Sequence, residues 1–223
     1  MAAADWIVFD AYGTLFDLDT SVRRRDRGRA LPAAFAREWR AKQLEYTWMA
    51  QAMGEYRDFW TLTGEALDWA ISALGADAAR REQLMDAYRA LDPFPEAHGA
   101  LRALGEAGAR LAVLSNGTAG MLEAALRAAG LAPLLDMVIS VDEIGVYKPD
   151  ARVYRHAQER LHAAAAEIRF VSANAWDVAG AQRCGLRVVW VNRHGAPPEY
   201  GLDAAAVEVA DLHGVHAADP PGP

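Results

Sequence analysis

The chain has 223 residues, a net charge of −7 and a hydrophobic content of 52%. That is enough for one large domain or a core with a smaller insert, and too apolar for global disorder. The acidic balance offers no basic patch, which argues against nucleic acid or an anionic membrane surface as a partner, and no run reaches the roughly 18 apolar residues of a membrane span.

In chain order, Ile7–Asp10 reads as a buried strand. Residues Leu31 to about Leu91 read as helices. Phe35, Trp39, Tyr46, Met49, Met53 and Tyr56 form a stripe at helical spacing, and Trp39, Trp48, Trp60 and Trp69 fall in the same block. An aromatic helical block between strand regions predicts an inserted cap, residues 16–92, on a core made of 1–15 and 93–223. Asp92-Pro93-Phe94-Pro95 is stiff and predicts a hinge. After it the rhythm alternates: helix Glu96–Gly108, strand Arg110–Leu114, helix Met121–Gly130, strand Met137–Ser140, helix Asp150–Leu161, strand Ile168–Ser172, helix Val178–Cys184 and strand Arg187–Val191. This alternation predicts an α/β fold, a Rossmann-like doubly wound parallel sheet. The tail from His213 to Pro223 is rich in Ala, Pro and Gly and is expected to fray.

Polar residues gather just past strand C-termini: Asp10, then Ser115 and Asn116, then Asn174 and Asp177. In open parallel sheets that edge is where ligands bind. Lys148, one of only two lysines, joins from the mouth of a helix. An ammonium near a carboxylate keeps it ionised and aimed, so Asp10 reads as a carboxylate nucleophile supported by Lys148. Asp177 reads as a base or as a helix cap, two compatible roles. Ser115-Asn116-Gly117 between strand and helix offers N–H and O–H donors to an anion, and Thr14 is placed to fix the Asp10 turn. Ser172 and Asn174 stand where they would tune Asp10 or place a water. The six histidines (His98, His156, His162, His194, His213 and His216) show no ligand spacing. Cys184 is alone and cannot form an internal disulfide; with no basic and apolar leader pattern, the expected compartment is reducing and cytoplasmic.

The segments FDAYGTLFD, WRAKQLEYTW, VLSNG, VYKPDARVY and FVSANAWD, in this order, resemble the haloacid dehalogenase superfamily and, more closely, its L-2-haloacid dehalogenase (type II) branch. The resemblance runs from about Ile7 to Asn192. It implies hydrolysis of short (S)-2-haloalkanoic acids to (R)-2-hydroxy acids through an ester on Asp10, no metal or organic cofactor, and a homodimer. Phosphatases of the superfamily carry a second Asp, a general acid, where this chain has Tyr12. Halide leaves without a proton, so that acid is dispensable. The late segment holds one acid, Asp177, with Ser172 and Asn174 where more carboxylate would serve Mg²⁺.

The resemblance also assigns Arg40, with Asn116 assisting, to the departing halide. It places Tyr154 in support of the site, and sets Ala11, Tyr12, Leu44, Phe59 and Trp176 around the substrate. Without it, Arg40 reads as a solvated helix arginine, Tyr154 as core, and Leu44 and Phe59 as ordinary packing. Ala41 departs from the family, which often has Gln after this arginine, and bears on substrate range. Two alternatives stand beside the dehalogenase: a superfamily phosphatase for a small phosphate ester, and a non-catalytic member.

Overall fold

The computed structural model describes residues 6–26, 31–202 and 206–218. The first strand, β1 (Trp6–Phe9), is buried at all four positions, as expected of a central parallel strand covered on both faces. β2 (Phe16–Asp17) follows the Asp10 turn, and four helices come next: α1 (Leu18–Asp26), α2 (Phe35–Met53), α3 (Phe59–Leu74) and α4 (Arg81–Met85). β3 (Asp92–Pro93) then pairs antiparallel with β2, Phe16 opposite Pro93 and Asp17 opposite Asp92. The chain thus leaves for the helical block and returns from it through one two-stranded ribbon.

The remainder alternates: α5 (Ala97–Glu106), β4 (Arg110–Ser115), α6 (Ala119–Ala128), β5 (Met137–Ser140), α7 (Ala151–Leu161), β6 (Ile168–Ser172), α8 (Ala175–Arg183), β7 (Arg187–Val191) and β8 (Val207–Val209). The six-stranded sheet has the order β5-β4-β1-β6-β7-β8 and is parallel throughout. The chain winds to one side of β1 through β4 and β5, then to the other through β6 to β8, so β1 lies at the switch point where ligand clefts form. Register sets the edge. Phe9 lies level with Val113 of β4 and Val171 of β6, so Asp10, Ser115 and Ser172 emerge together. Among the described residues, no helix is long and apolar enough to cross a membrane.

Three sequence expectations differ from the structure. The aromatic stripe of α2 is buried only in its first half. Phe35 and Trp39 are buried, while Met49 and Met53 are exposed, and the stripe that faces inward continues through Gln43, Thr47 and Ala50. Polar groups that find partners replaced the expected apolar ones. Helix α8 starts three residues before the expected Val178, so Asn174 takes the N-cap position and Asp177 lies in the first turn rather than at the cap. The tail does not fray where expected: Leu212 and Val215 are buried in a short 3-10 turn over α5, after the unforeseen edge strand β8. The rest of that expected fraying, 219–223, lies outside the described residues.

Candidate active site

Asp10 leaves β1 into a turn in which the Ala11 carbonyl accepts from the N–H groups of Thr14, Leu15 and Phe16. Gly13, at φ +87°, lets the chain reverse there. One carboxylate oxygen of Asp10 accepts from Thr14 Oγ1 at 3.0 Å and from Asn174 Nδ2 at 2.8 Å. The other accepts from Lys148 Nζ at 3.1 Å. Thr14 Oγ1 in turn accepts from the Ala173 N–H, and Ser172 Oγ accepts from the Asn174 N–H. The loop after β6 is thereby stitched to the loop after β1, and the carboxylate is aimed by three donors from separate segments.

Lys148 is 1% exposed and reaches a second carboxylate, Asp177 Oδ2, at 2.8 Å. Tyr154, from the second turn of α7, donates to Asp177 Oδ1 at 2.7 Å. Burial raises the Asp177 carboxyl to about 6; the Lys148 ammonium opposes that shift and the Asp10 charge adds to it. The Tyr154 hydroxyl is pushed well above its ordinary range by burial and by Asp177. The Lys148 N–H donates to Asn116 Oδ1 at 3.1 Å, which ties the lysine's backbone to the loop after β4. Ser115 is fully buried, and its Oγ accepts from the Gly117 N–H.

The helical block closes over this edge. Arg40 of α2 sits 5.6 Å from the Tyr12 ring centre and 6.0 Å from that of Phe59. Phe59, the first residue of α3, is fully buried, with its ring centre 5.5 Å from that of Tyr12. Tyr12 is also buried. Its hydroxyl has no hydrogen-bond partner among the described residues and lies against Gly117, where an added Cβ would sit 2.5 Å from it. Trp176, in the first turn of α8, meets Trp48 of α2 edge to face at 5.5 Å and lines a cavity of about 740 Å³ with Trp48, Tyr147 and Lys148. Leu44 is half-buried one turn after Arg40, and its carbonyl accepts from Thr47 Oγ1. The structure therefore brings together Asp10, Thr14, Lys148, Tyr154, Asn174 and Asp177 by direct bonds. Tyr12, Phe59 and Arg40 form a second cluster, and Leu44 and Trp176 lie further out.

Two features escaped the sequence reading. Arg193, after β7, donates to the carbonyls of Gly13 at 3.2 Å and Thr14 at 3.0 Å while paired with Glu96 at 2.8 Å. It clamps the nucleophile turn from behind, and nothing in its local sequence marks it. Gln43 accepts from both Arg40 and the Tyr88 hydroxyl inside the helical block; the spacing of Arg40 and Gln43, one helical turn, was the available signal.

The donor set does not fit a divalent cation at Asp10. Its oxygens face an ammonium, a hydroxyl and an amide N–H, and Mg²⁺ requires oxygen acceptors. Among the described residues, no group of three or more His, Cys, Asp or Glu is arranged to hold a metal ion.

With this geometry in view, the relatives are informative. A family model described as haloacid dehalogenase-like hydrolase matches residues 4–185. The chain is 48% identical over 209 residues to (S)-2-haloacid dehalogenase 1 of Pseudomonas sp. (strain CBS-3), covering 92% of each. Among solved structures, a dehalogenase with an intermediate complex superposes with a TM-score of 0.92 at 40% identity, covering 97% of each chain. L-2-haloacid dehalogenase from Xanthobacter autotrophicus, with chloropropionic acid covalently bound, superposes with a TM-score of 0.86 at 35% identity, covering 96% of this chain and 97% of the other. The chain belongs to the haloacid dehalogenase-like hydrolase family.

Proposed function

We propose that this protein hydrolyses short (S)-2-haloalkanoic acids to (R)-2-hydroxy acids through an ester on Asp10. The observation that carries the reading is the Asp10 carboxylate held by Lys148, Thr14 and Asn174, with an aromatic ring at position 12. Three donors hold and orient the carboxylate. A site with no acid at position 12 suits a leaving group that needs no proton.

Asp10 attacks the carbon bearing the halogen. A C–O bond forms, the carbon–halogen bond breaks, and its electron pair leaves with the halide. Displacement in line inverts the carbon. Arg40, with Asn116 assisting, stabilises the leaving anion. Ser115 and the N–H groups of its turn, together with those of Ala11 and Tyr12, hold the substrate carboxylate. Tyr12, Leu44, Phe59 and Trp176 wall its alkyl group. Water then attacks the ester carbonyl carbon of Asp10, with Asp177 taking the proton and Lys148 and Tyr154 holding Asp177 in place. The bond between that carbon and the ester oxygen breaks, the departing alkoxide takes the proton back from Asp177 and leaves as the hydroxy acid, and the water oxygen stays in Asp10. Ser172 and Asn174 keep the loop after β6 against the nucleophile.

In this reading residues 16–92 act as a cap over a core of 1–15 and 93–223, supported by the contact of Arg40 and Phe59 with Tyr12 and by the β2–β3 ribbon. The exposed Trp48, Met49 and Met53 of α2 and Trp69 of α3 support a homodimer, and the single cysteine supports a cytoplasmic location.

The test is halide release from both enantiomers of 2-chloropropionate, followed by a single turnover in ¹⁸O-water with mass analysis of the Asp10 peptide. Release from the (S)-enantiomer with label in Asp10 is the expected result. Metal-dependent turnover of a phosphate ester without halide release, or dehalogenation that leaves Asp10 unlabelled, would overturn it.

A further inference from the structure

Gln43 lies in α2 on the same face as Arg40 and is fully buried. Its amide orientation is fixed by chemistry rather than by fit alone. Thr63 Oγ1 spends its one hydrogen on the Phe59 carbonyl at 2.6 Å, so toward Gln43 it can only accept. The Gln43 Nε2 group donates to it. That leaves Gln43 Oε1 facing the other way, where it accepts from Arg40 Nη1 at 2.6 Å and from the Tyr88 hydroxyl at 3.2 Å. The Thr63 carbonyl accepts from Trp39 Nε1 at 2.9 Å, which locks α3 against α2 at the same level. A hydrogen-bond chain therefore runs from the Phe59 backbone through Thr63 and Gln43 to the guanidinium that faces the Tyr12 and Phe59 rings.

The holder is neutral throughout. Amide, phenol and threonine hydroxyl bear no charge, and burial pushes the Tyr88 phenol up to about 12. Among the described residues, no carboxylate pairs with Arg40. A carboxylate at position 43 would make a stronger hydrogen bond, but it would also cancel the cation. An amide orients the guanidinium and leaves its field directed into the site.

We infer that Gln43 is a positioning residue for the leaving-group step: it fixes the Arg40 guanidinium toward the departing halide while leaving its charge uncompensated. This rests on the dehalogenase reading and deepens it, because it gives halide assistance a device of its own inside the helical block.

The test uses the full-length chain and two variants, Gln43→Glu and Gln43→Met. Three quantities are measured: inhibition by added bromide, the kcat/KM ratio of (S)-2-chloropropionate to (S)-2-bromopropionate, and the thermal midpoint. Gln43→Glu keeps the hydrogen bond and discharges the cation, so bromide inhibition weakens by about tenfold or more. The chloride-to-bromide ratio falls with it, because the poorer leaving group depends more on electrostatic help. Gln43→Met loses the anchor and keeps the charge, so the same two quantities move in the same direction by less. If Gln43→Glu does not fold, Gln43→Met carries the test by itself. A merely structural role for Gln43 lowers the midpoint and the turnover of both substrates equally, with bromide inhibition unchanged, and that outcome overturns the inference. Tighter bromide inhibition in Gln43→Glu does so as well. If the unaltered protein releases no halide from either substrate, the underlying reading fails first and takes the inference with it. If it does release halide, and only the variants behave as wild type, the reading stands and the inference alone is lost.

Discussion

On the core side of the cleft one ammonium, Lys148, faces two carboxylates, Asp10 and Asp177, all three almost fully buried. On the helical side the Arg40 guanidinium is met by an amide oxygen and two aromatic rings. One wall pairs its charges internally; the other holds its cation with neutral groups alone. Removing a partner from a buried ion cluster strands a charge, whereas removing an unpaired cation from a neutral cradle strands only hydrogen-bond groups. The two walls should therefore answer mutation differently, one in stability and activity together, the other in activity with little loss of stability.

The largest expected effects are on the core wall. Asp10→Asn should remove turnover, by on the order of ten-thousandfold or more, since no ester can form. It removes one partner from the cluster but leaves Lys148 paired with Asp177, so its stability cost should be clearly below that of removing the lysine. Lys148→Met should also remove turnover and in addition cost about 3–5 kcal/mol, because two carboxylates then face each other without a cation. Chemical denaturation of the two variants side by side checks this; equal stability would break the contrast. On the opposite wall, Arg40→Met should lower kcat/KM by roughly a hundredfold to a thousandfold with a stability change well below that of Lys148→Met, read by halide release and the same denaturation series.

A smaller effect comes from acid. The Asp177 carboxyl is raised to about 6 from an ordinary value of 3.8. Protonation removes the base, so kcat should fall in acid, with its midpoint below about 6 because forming the ester removes the Asp10 charge that helps raise this carboxyl. The sign for stability is the opposite. The folded state takes up this proton before the unfolded state does, so the penalty of burying the charged carboxylate is relieved as pH falls from about 6 toward 4. A pH–rate profile beside pH-dependent unfolding should show activity lost while the Asp177 contribution to stability rises. Loss of both in parallel over that window would count against Asp177 as the base. Smallest is Arg193→Met, which frees the Gly13 and Thr14 carbonyls and leaves Glu96 unpaired. It should cost about 1–3 kcal/mol and reduce kcat more than it changes KM, with partial recovery in Arg193→Lys.

The core wall was the more legible in sequence, and the same contrast explains why. Asp10, Ser115, Ser172, Asn174 and Asp177 follow apolar strands, and a parallel sheet brings strand ends to one edge whatever the details of packing. Lys148 was singular because lysine is scarce in this chain. The helical wall obeys no such rule. The role of Arg40 came only through resemblance, because an arginine on a helix has the same local signature whether it faces solvent or a site. Gln43, Thr63 and Tyr88 come from three separate segments, and their meeting depends on how α2, α3 and the turn before β3 pack. Arg193 reaches back across 180 residues to Gly13. Hydrophobic periodicity also misled at the C-terminal half of α2, where Met49 and Met53 keep the helical spacing yet face outward.

The contact between Tyr12 and Gly117 constrains what each position can hold. The Gly117 backbone does not occupy the left-handed region, so the restriction there is one of space: a methyl group would sit 2.5 Å from the Tyr12 hydroxyl. With a ring at position 12, any side chain at 117 would force one of the two to move. The two positions are thus sterically coupled, and a small side chain at 12 would release 117 to vary.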